Sequence, residues 1–179
     1  EKAGFNIAKI QEIEKETKHD VAAFVSDVQS HIGEAGRFVH LGLTSSDVLD
    51  TAFSYRMMKS AEMILEELDR CLKTTQEKAL RDKHIPIMGR THGIHAEPMT
   101  MGLKWLLWHD MLKRSKSRIE EAKKQISVGK LSGAVGNYAH VPPEVEQYVC
   151  GKLGLVPDSL STQVVSRDRY ATYFCALGL

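Results

Sequence analysis

Apolar residues recur three and four positions apart along most of the chain, which is the spacing of one face of an α-helix. Over residues 44–83 this pattern runs without a glycine or proline and predicts one long helix, with a repeat near 3.5 residues that suits bundle packing. Its apolar stripe takes in positions 48, 52, 55, 58, 61, 65, 68, 72, 75 and 79. Thr44 offers an N-cap hydroxyl and Asp47 a carboxylate three residues later, so the helix start resembles a capping box.

Further stretches show the same helical periodicity, and several are bounded by residues that commonly end a helix. These predicted helices cover residues 1–30 in two pieces, 99–128, 142–153 and 166–179. Residues 84–98 contain Pro86, Gly89, Gly93 and Pro98, so this segment cannot be helical throughout. Because no alternation typical of strands is evident, we expect an all-α fold, an elongated bundle of long helices.

The length of the predicted helices bears on assembly. A helix of about 40 residues is about 60 Å long, whereas a compact domain of this chain length has a diameter of roughly 40 Å. The long helices would extend beyond a compact monomer. We therefore expect an oligomer in which partner chains cover the apolar stripes.

Composition is that of a globular protein, with 42% hydrophobic and 26% charged residues and a net charge of +1. This balance argues against disorder and against nucleic acid or a membrane surface as partners. No signal peptide or apolar run long enough to span a bilayer is present. Three widely spaced cysteines predict buried thiols in a reducing cytosol, rather than disulfides or a zinc site. The expected location is the cytoplasm.

The most informative local segment is Gly89–Pro98, which reads G-R-T-H-G-I-H-A-E-P. His92 lies three residues before His95, in a stretch held by glycine and proline. An imidazole there is suited to proton transfer near neutral pH, yet two loop histidines that only bind backbone groups are almost as plausible. A metal site with Glu97 as third ligand is a weak match, and no nucleophile on a sharp turn is evident.

Two other clusters could bind a ligand. The run Thr44–Asp47 places hydroxyls and free N–H groups at a helix N-terminus, which favours an anion; a capped helix without a ligand is the alternative. In Lys18–Asp20 the carboxylate of Asp20 could orient His19 and keep it charged, although a solvated polar surface explains the same residues.

The segment Gly129–Gly136, G-K-L-S-G-A-V-G, superficially suggests a phosphate loop. It lacks the lysine and hydroxyl residue in the required register and follows no strand. We therefore interpret it as a close-packed connection between helices. Ser161–Gln163 precedes the last predicted helix and is a further polar cluster.

Taken together and in order, these segments resemble the adenylosuccinate lyase family of the fumarase/aspartase superfamily. The resemblance rests on K-H-D-V-A-A-F (18–24), H-L-G-L-T-S-S-D (40–47), G-R-T-H-G-I-H-A-E-P (89–98), G-K-L-S-G-A-V-G (129–136) and S-T-Q-V-V-S-R-D-R (161–169). It implies the superfamily's long-helix bundle and an anti β-elimination that releases fumarate. The family's substrates are adenylosuccinate, which gives AMP, and the succinylated aminoimidazole carboxamide ribotide of purine synthesis.

The resemblance also implies roles for individual residues. His92 matches the general acid that protonates the departing nitrogen, and His19 matches a second histidine that helps hold the substrate. The residues expected to bind substrate are Lys18, Asp20, Thr44, Ser45 and Gln163, with His40, Thr91 and Lys130 as weaker candidates. Neither a cofactor nor a metal is expected.

The family's base is a serine on a loop that reads roughly G-S-S-x-M-P-x-K-x-N, and no such motif occurs here. We therefore expect a fragment, without the N-terminal start and the C-terminal half, that is inactive alone. Residues 1–42 would end the N-terminal domain and residues 43–179 would begin the central bundle. The resemblance implies a homotetramer with shared active sites, in which His19 and His92 come from different subunits. The alternatives are a sibling such as argininosuccinate lyase and a non-catalytic helical scaffold.

Overall fold

The computed structural model describes residues 3–179, which are mostly helical, so the predicted all-α class is confirmed. The helices are α1 (Ile7–Thr17), α2 (Asp20–Ile32), α3 (Ser45–Arg81), α4 (Met101–Ile126), α5 (Pro143–Leu153) and α6 (Arg167–Gly178), and a 3₁₀ helix spans Gly33–Phe38. The strands are β1 (Pro86–Thr91), β2 (Ile94–Thr100), β3 (Val128–Gly129) and β4 (Val156–Pro157). The two helices predicted within residues 1–30 correspond to α1 and α2, with α1 beginning at Ile7; residues 1 and 2 of that prediction lie outside the described residues.

The sequence predicted no strands, and this was wrong at the four strands of the structure, chiefly at β1 and β2. β1 and β2 form an antiparallel hairpin in which Thr91 pairs with Ile94. The register shifts between Met88 and Arg90, which leaves Gly89 at a β-bulge. A side chain at Gly89 would lie 2.5 Å from the Glu97 carbonyl oxygen, so the bulge requires glycine. The alternation of apolar and polar residues that marks a strand could not be seen in the sequence, because a glycine, a proline and a bulge interrupt these two short strands.

The chain divides into two compact units, and the first consists of the residues up to Phe53 together with Val128–Val165. Here α1 packs against α2, and the buried carboxylate of Asp27 accepts a 2.7 Å hydrogen bond from the Asn6 N–H. The short strands β3 and β4 pair in parallel, Val128 with Val156. Helix α5 ends at Gly154, which has a φ of 71°, so the predicted C-cap is confirmed.

The start of α3 departs from the predicted apolar stripe. Ala52 is exposed, and the buried face of the first turns is polar: Asp47, Asp50 and Thr51. Each of these side chains binds a loop of the same unit. Thr51 exchanges two 2.9 Å hydrogen bonds with the backbone of Lys130, and Asp50 accepts a 2.9 Å bond from the Val165 N–H. Periodicity alone could not identify this face, because its burial depends on hydrogen bonds and not on hydrophobicity.

The second unit contains Ser54–Ser127 and Ser166–Leu179. Helix α6 packs on α4, and the Tyr173 hydroxyl donates a 3.1 Å hydrogen bond to the Met57 carbonyl of α3. The core of this unit is formed by Met57, Met58, Ala61, Ile119, Ala122, Ile126 and Tyr173. The predicted α3 stripe is therefore confirmed at positions 58 and 61, in the middle of the stripe.

One face of α4 remains exposed and apolar in this chain. Its side chains are Leu103, Leu106, Leu107 and Met111, each about half exposed. None of the helices formed by residues 3–179 has both the length and the hydropathy needed to cross a bilayer.

Of the three cysteines, Cys150 is buried as expected, whereas Cys71 and Cys175 are exposed on helices, which corrects that expectation. Burial raises the pKa of the Cys150 thiol to about 11.

Candidate functional site

His92 occupies the tip of the β1–β2 hairpin, and its side chain is exposed. The turn consists of His92 and Gly93 alone, with φ values of 51° and 76°. Two consecutive positive φ angles define the type I′ turn that matches the twist of a hairpin, a turn that favours asparagine before glycine. His92 therefore holds a conformation that costs an ordinary residue about 1–2 kcal/mol. Such strain at an exposed position favours a functional over a purely structural histidine.

Positive φ angles also mark other candidate residues. Among residues 3–179, four residues other than glycine have a positive φ: Lys18, His40, His92 and Tyr138. Three of the four were singled out from the sequence for binding or catalysis. Backbone strain is tolerated where the surrounding structure maintains it, and it concentrates at functional sites. The φ of Lys18 is that of an ordinary helix C-cap, so the angles single out His40 and His92, whose roles stay predictions.

His19, His40 and Ser45 line one cleft of the first unit, with a volume of about 410 Å³. The Nε2 atom of His40 is buried there and has no hydrogen-bond partner among the described residues. A buried polar atom without a partner is costly, so a ligand that bonds to it would be stabilised. Arg37 lines the same cleft and was missed by sequence reasoning. The only hint of Arg37 in the sequence was its position, three residues before His40 and directly after a segment with two glycines.

His19 is the N-cap of α2. Its Nδ1 atom accepts a 3.3 Å hydrogen bond from the Ala22 N–H, so a neutral ring carries its proton on Nε2. Asp20 lies 3.5 Å from the same Nδ1 but accepts its hydrogen bond from the Val21 N–H. Lys18 caps the end of α1 in a left-handed conformation. The three residues therefore form the junction between two helices, with the Nε2 face of His19 available to a ligand.

Thr44 and Ser45 lie at the start of α3, where one of the two hydrogen bonds of the expected capping box is observed. The Asp47 carboxylate accepts a 2.8 Å hydrogen bond from the Thr44 N–H. Lys130 is fully buried and forms an ion pair with Asp47, so the negative charge at this helix start is balanced. The Lys130 ammonium also donates a 2.8 Å bond to the Gly133 carbonyl. This gives Lys130 a structural role, and its contact with substrate stays a prediction.

Gln163 is exposed on the loop between β4 and α6, and it is not among the residues that line the cleft of His19. The loop is fixed by a 2.9 Å hydrogen bond between the Ser161 and Ser132 hydroxyls. Ser132 belongs to the glycine-rich segment, which Glu146 anchors through a 2.6 Å bond from the Leu131 N–H. The expectation of a close-packed connection is therefore confirmed for residues 129–133, which are buried, whereas Ala134 and Val135 are exposed. The expectation that the segment follows no strand was wrong, because it begins in the short strand β3.

Tyr138 also anchors the glycine-rich segment, because its hydroxyl donates a 2.7 Å hydrogen bond to Glu146. That bond and burial raise the pKa of Tyr138 to about 12, so the phenol stays protonated.

The second unit holds Thr91 and His92, and the first holds all the other candidates. His95 pairs with Arg90 across the hairpin, and the residues described here contain no cluster of three metal-binding side chains.

Replacing Gly136 by alanine is expected to destabilise the loop that carries Gln163. Gly136 has a φ of 80°, and a Cβ there would lie 2.1 Å from the Ser161 carbonyl oxygen. Strain and overlap together should cost at least about 2 kcal/mol, which would be seen as a lower denaturation midpoint. Gly151→Ala is the matched control, because a Cβ there meets nothing within 4 Å and helix α5 tolerates alanine. Equal midpoints for the two variants would contradict this account of the loop.

Comparisons with known proteins identify the family of this chain. A sequence model of a family described as lyase matches residues 2–179. The chain belongs to this lyase family. Over 179 residues it is 51% identical to adenylosuccinate lyase of Bacillus subtilis (strain 168), covering 100% of this chain and 42% of that relative. Over 177 residues it is 50% identical to adenylosuccinate lyase of Thermotoga maritima, covering 99% and 41%.

A solved structure of a lyase has the same fold. The crystal structure of fumarate lyase from Mesorhizobium sp. BNC1 aligns with a TM-score of 0.88 at 26% identity, covering 97% of this chain and 42% of that one. The chain thus spans about two-fifths of the length of the relatives it matches. The expected resemblance to adenylosuccinate lyases and the bundle of the fumarate lyase type are confirmed.

Proposed function

We propose that this chain is part of an adenylosuccinate lyase of purine nucleotide biosynthesis. The enzyme would release fumarate from adenylosuccinate, giving AMP, and from the succinylated aminoimidazole carboxamide ribotide. The observation that carries the proposal is the identity of about one residue in two, over nearly the whole chain, to adenylosuccinate lyases of Bacillus subtilis and Thermotoga maritima. The five motifs that suggested the family lie within that alignment.

The proposed reaction is an anti β-elimination. A base removes the proton next to a carboxylate, the electron pair forms the double bond of fumarate, and the C–N bond breaks toward nitrogen. The departing nitrogen is a poor leaving group as an anion, so an acid must protonate it. We assign this role to His92, which is exposed at the hairpin tip and has a positive φ. A positioned acid typically contributes a factor of about 10²–10⁴.

Substrate binding is assigned to the first unit, with Thr91 of the second unit as a weaker candidate. His19 and Ser45 line the cleft beside Arg37, and donors of this kind suit the anionic groups of a nucleotide. Thr44 and Ser45 at the start of α3 would bind the succinyl carboxylates, because helix N-termini favour anions. The remaining proposed contacts are Lys18, Asp20 and Gln163, followed by His40, Thr91 and Lys130.

We propose that the whole enzyme is a cytoplasmic homotetramer with active sites shared between subunits. The exposed apolar face of α4 supports association, since four large side chains at helical spacing are each about half exposed. In such a tetramer His19 and His92 would meet from different subunits. The division at residue 42 into an N-terminal domain and a central bundle is part of the same proposal.

Fumarate release by the whole enzyme tests the function. We expect turnover with adenylosuccinate and with the succinylated ribotide, and none above background with argininosuccinate, measured as fumarate formed over time. Activity with argininosuccinate alone would show a sibling lyase instead. A correctly folded whole protein that releases no fumarate from any of the three would leave the helical scaffold as the better account.

A further inference from the structure

The hairpin that carries His92 is held at its base by one residue, Asp82, directly after α3. The Asp82 carbonyl oxygen accepts hydrogen bonds from two N–H groups, that of Ile85 at 3.1 Å and that of Gly102 at 3.0 Å. Ile85 precedes strand β1, and Gly102 follows strand β2. A further 2.9 Å bond from the Met101 N–H to the Ile85 carbonyl closes the base. Both legs of the hairpin are therefore joined to the same peptide group.

The side chain of Asp82 joins the same place to helix α4. It is 5% exposed, and its Oδ2 atom accepts a 3.0 Å hydrogen bond from Trp105 Nε1. Arg81 donates two more bonds, from Nε at 2.6 Å and from Nη2 at 2.8 Å. Lys78 lies over the Trp105 ring at 4.5 Å. The bonds from Arg81 and Trp105 hold the pKa of Asp82 below its usual value, so it remains a carboxylate at neutral pH.

Close packing leaves this base little freedom. A Cβ at Gly102 would lie 2.5 Å from the Lys83 Cα atom and 2.6 Å from the Ala79 carbonyl oxygen, so two backbones are in direct contact there. The hairpin itself is stiffened by its ladder and two-residue turn. The orientation of the base therefore sets the position of the hairpin tip.

We propose that Asp82 is a positioning residue for catalysis: its carboxylate and carbonyl set the direction of the hairpin and so place His92 against the substrate. The proposal rests on the function proposed above. Six residues of strand span about 17 Å, so a tilt of about 3–4° at the base moves the tip by about 1 Å. A displacement of that size can cost about 100-fold in rate. A residue remote from the reacting atoms can thus control the proton donor.

The test compares Asp82→Asn in the whole enzyme with Asp69→Asn. Asp69 is the matched control, because its carboxylate also joins α3 to α4, through a 2.6 Å bond from Lys116, far along the helices from the hairpin base. We expect Asp82→Asn to lower kcat by about 10- to 100-fold with KM within about threefold, and Asp69→Asn to stay within about twofold. Unchanged kinetics for Asp82→Asn would overturn the proposal.

A second arm separates positioning from general damage. If Asp82 acts through His92, then adding Asp82→Asn to a His92→Gln enzyme should lower kcat by less than about twofold further. A full additional loss in that background would show a general structural effect and overturn the proposal. If Asp82→Asn does not fold, Trp105→Phe takes its place: phenylalanine keeps an aromatic side chain but lacks the indole N–H donor. We expect it to show the same pattern of kinetic changes at a smaller magnitude. Near-normal turnover by His92→Gln alone would instead contradict the assignment of His92 as the proton donor, whereas no fumarate release by the unsubstituted whole enzyme would contradict the proposed function.

Discussion

Replacing His92 by glutamine in the whole enzyme is expected to lower kcat by about 10²–10⁴-fold, with KM within about threefold. Glutamine is a fair match in size and can still form hydrogen bonds, but it has no proton to give to the departing nitrogen. Since the donor stabilises the transition state more than the bound substrate, the loss should fall on kcat. Steady-state fumarate release at several adenylosuccinate concentrations measures both constants.

His95→Gln is the matched control for this experiment. His95 lies on the same hairpin, is also exposed, and pairs with Arg90 rather than occupying the turn. We expect its kcat within about fivefold of the unsubstituted enzyme, because it is not the assigned donor. The assignment of the proton donor would fail if His92→Gln kept near-normal turnover, or if the two variants lost kcat equally.

Replacing Lys130 by methionine should give the largest loss of stability. Lys130 and Asp47 are both fully buried and paired, and the substitution leaves the Asp47 carboxylate with only neutral donors, including the Thr44 N–H. Breaking a buried pair on one side costs about 3–5 kcal/mol. Because Asp47 lies beside Thr44 and Ser45, the start of α3 should loosen as well. The denaturant midpoint at a fixed enzyme concentration measures the loss.

Lys124→Met provides the comparison, since Lys124 is exposed in the last turn of α4. Removing its charge should change the stability by no more than about 0.5 kcal/mol. If Lys130→Met had a midpoint equal to that of Lys124→Met, then the buried pair would contribute nothing to the fold. The structural role given to Lys130 would then be wrong.

The features that depend on a repeated pattern of apolar residues could be predicted from the sequence. The long helix α3 was predicted to within two residues at each end, because nearly forty residues carry one apolar stripe without a breaker. The cap at Gly154 and the packed glycine-rich segment were likewise visible from residue type. The stripe failed only at the first turns of α3, where Asp47, Asp50 and Thr51 are buried by partners that lie about 80 to 115 residues away.

The candidate site was only partly accessible from sequence. Motifs identified His92, but they predicted a loop where the structure has a hairpin, because His-Gly is a less familiar form of the type I′ turn than Asn-Gly. Asp82 was not singled out, since its partners come from the hairpin base and from Trp105, which lies 23 positions later. Arg37 was missed for a similar reason. Contacts that depend on tertiary folding leave no periodic signal in the chain.

Chemical rescue of a His92→Ala enzyme by added imidazole tests the central claim most directly. The hairpin tip is exposed, so a small imidazole can occupy the vacated space. If His92 is the proton donor, the fumarate release rate should rise with the concentration of the protonated additive, imidazolium, when pH and total additive are varied separately. A rate that follows the neutral form, or that does not respond to the additive, would contradict the account.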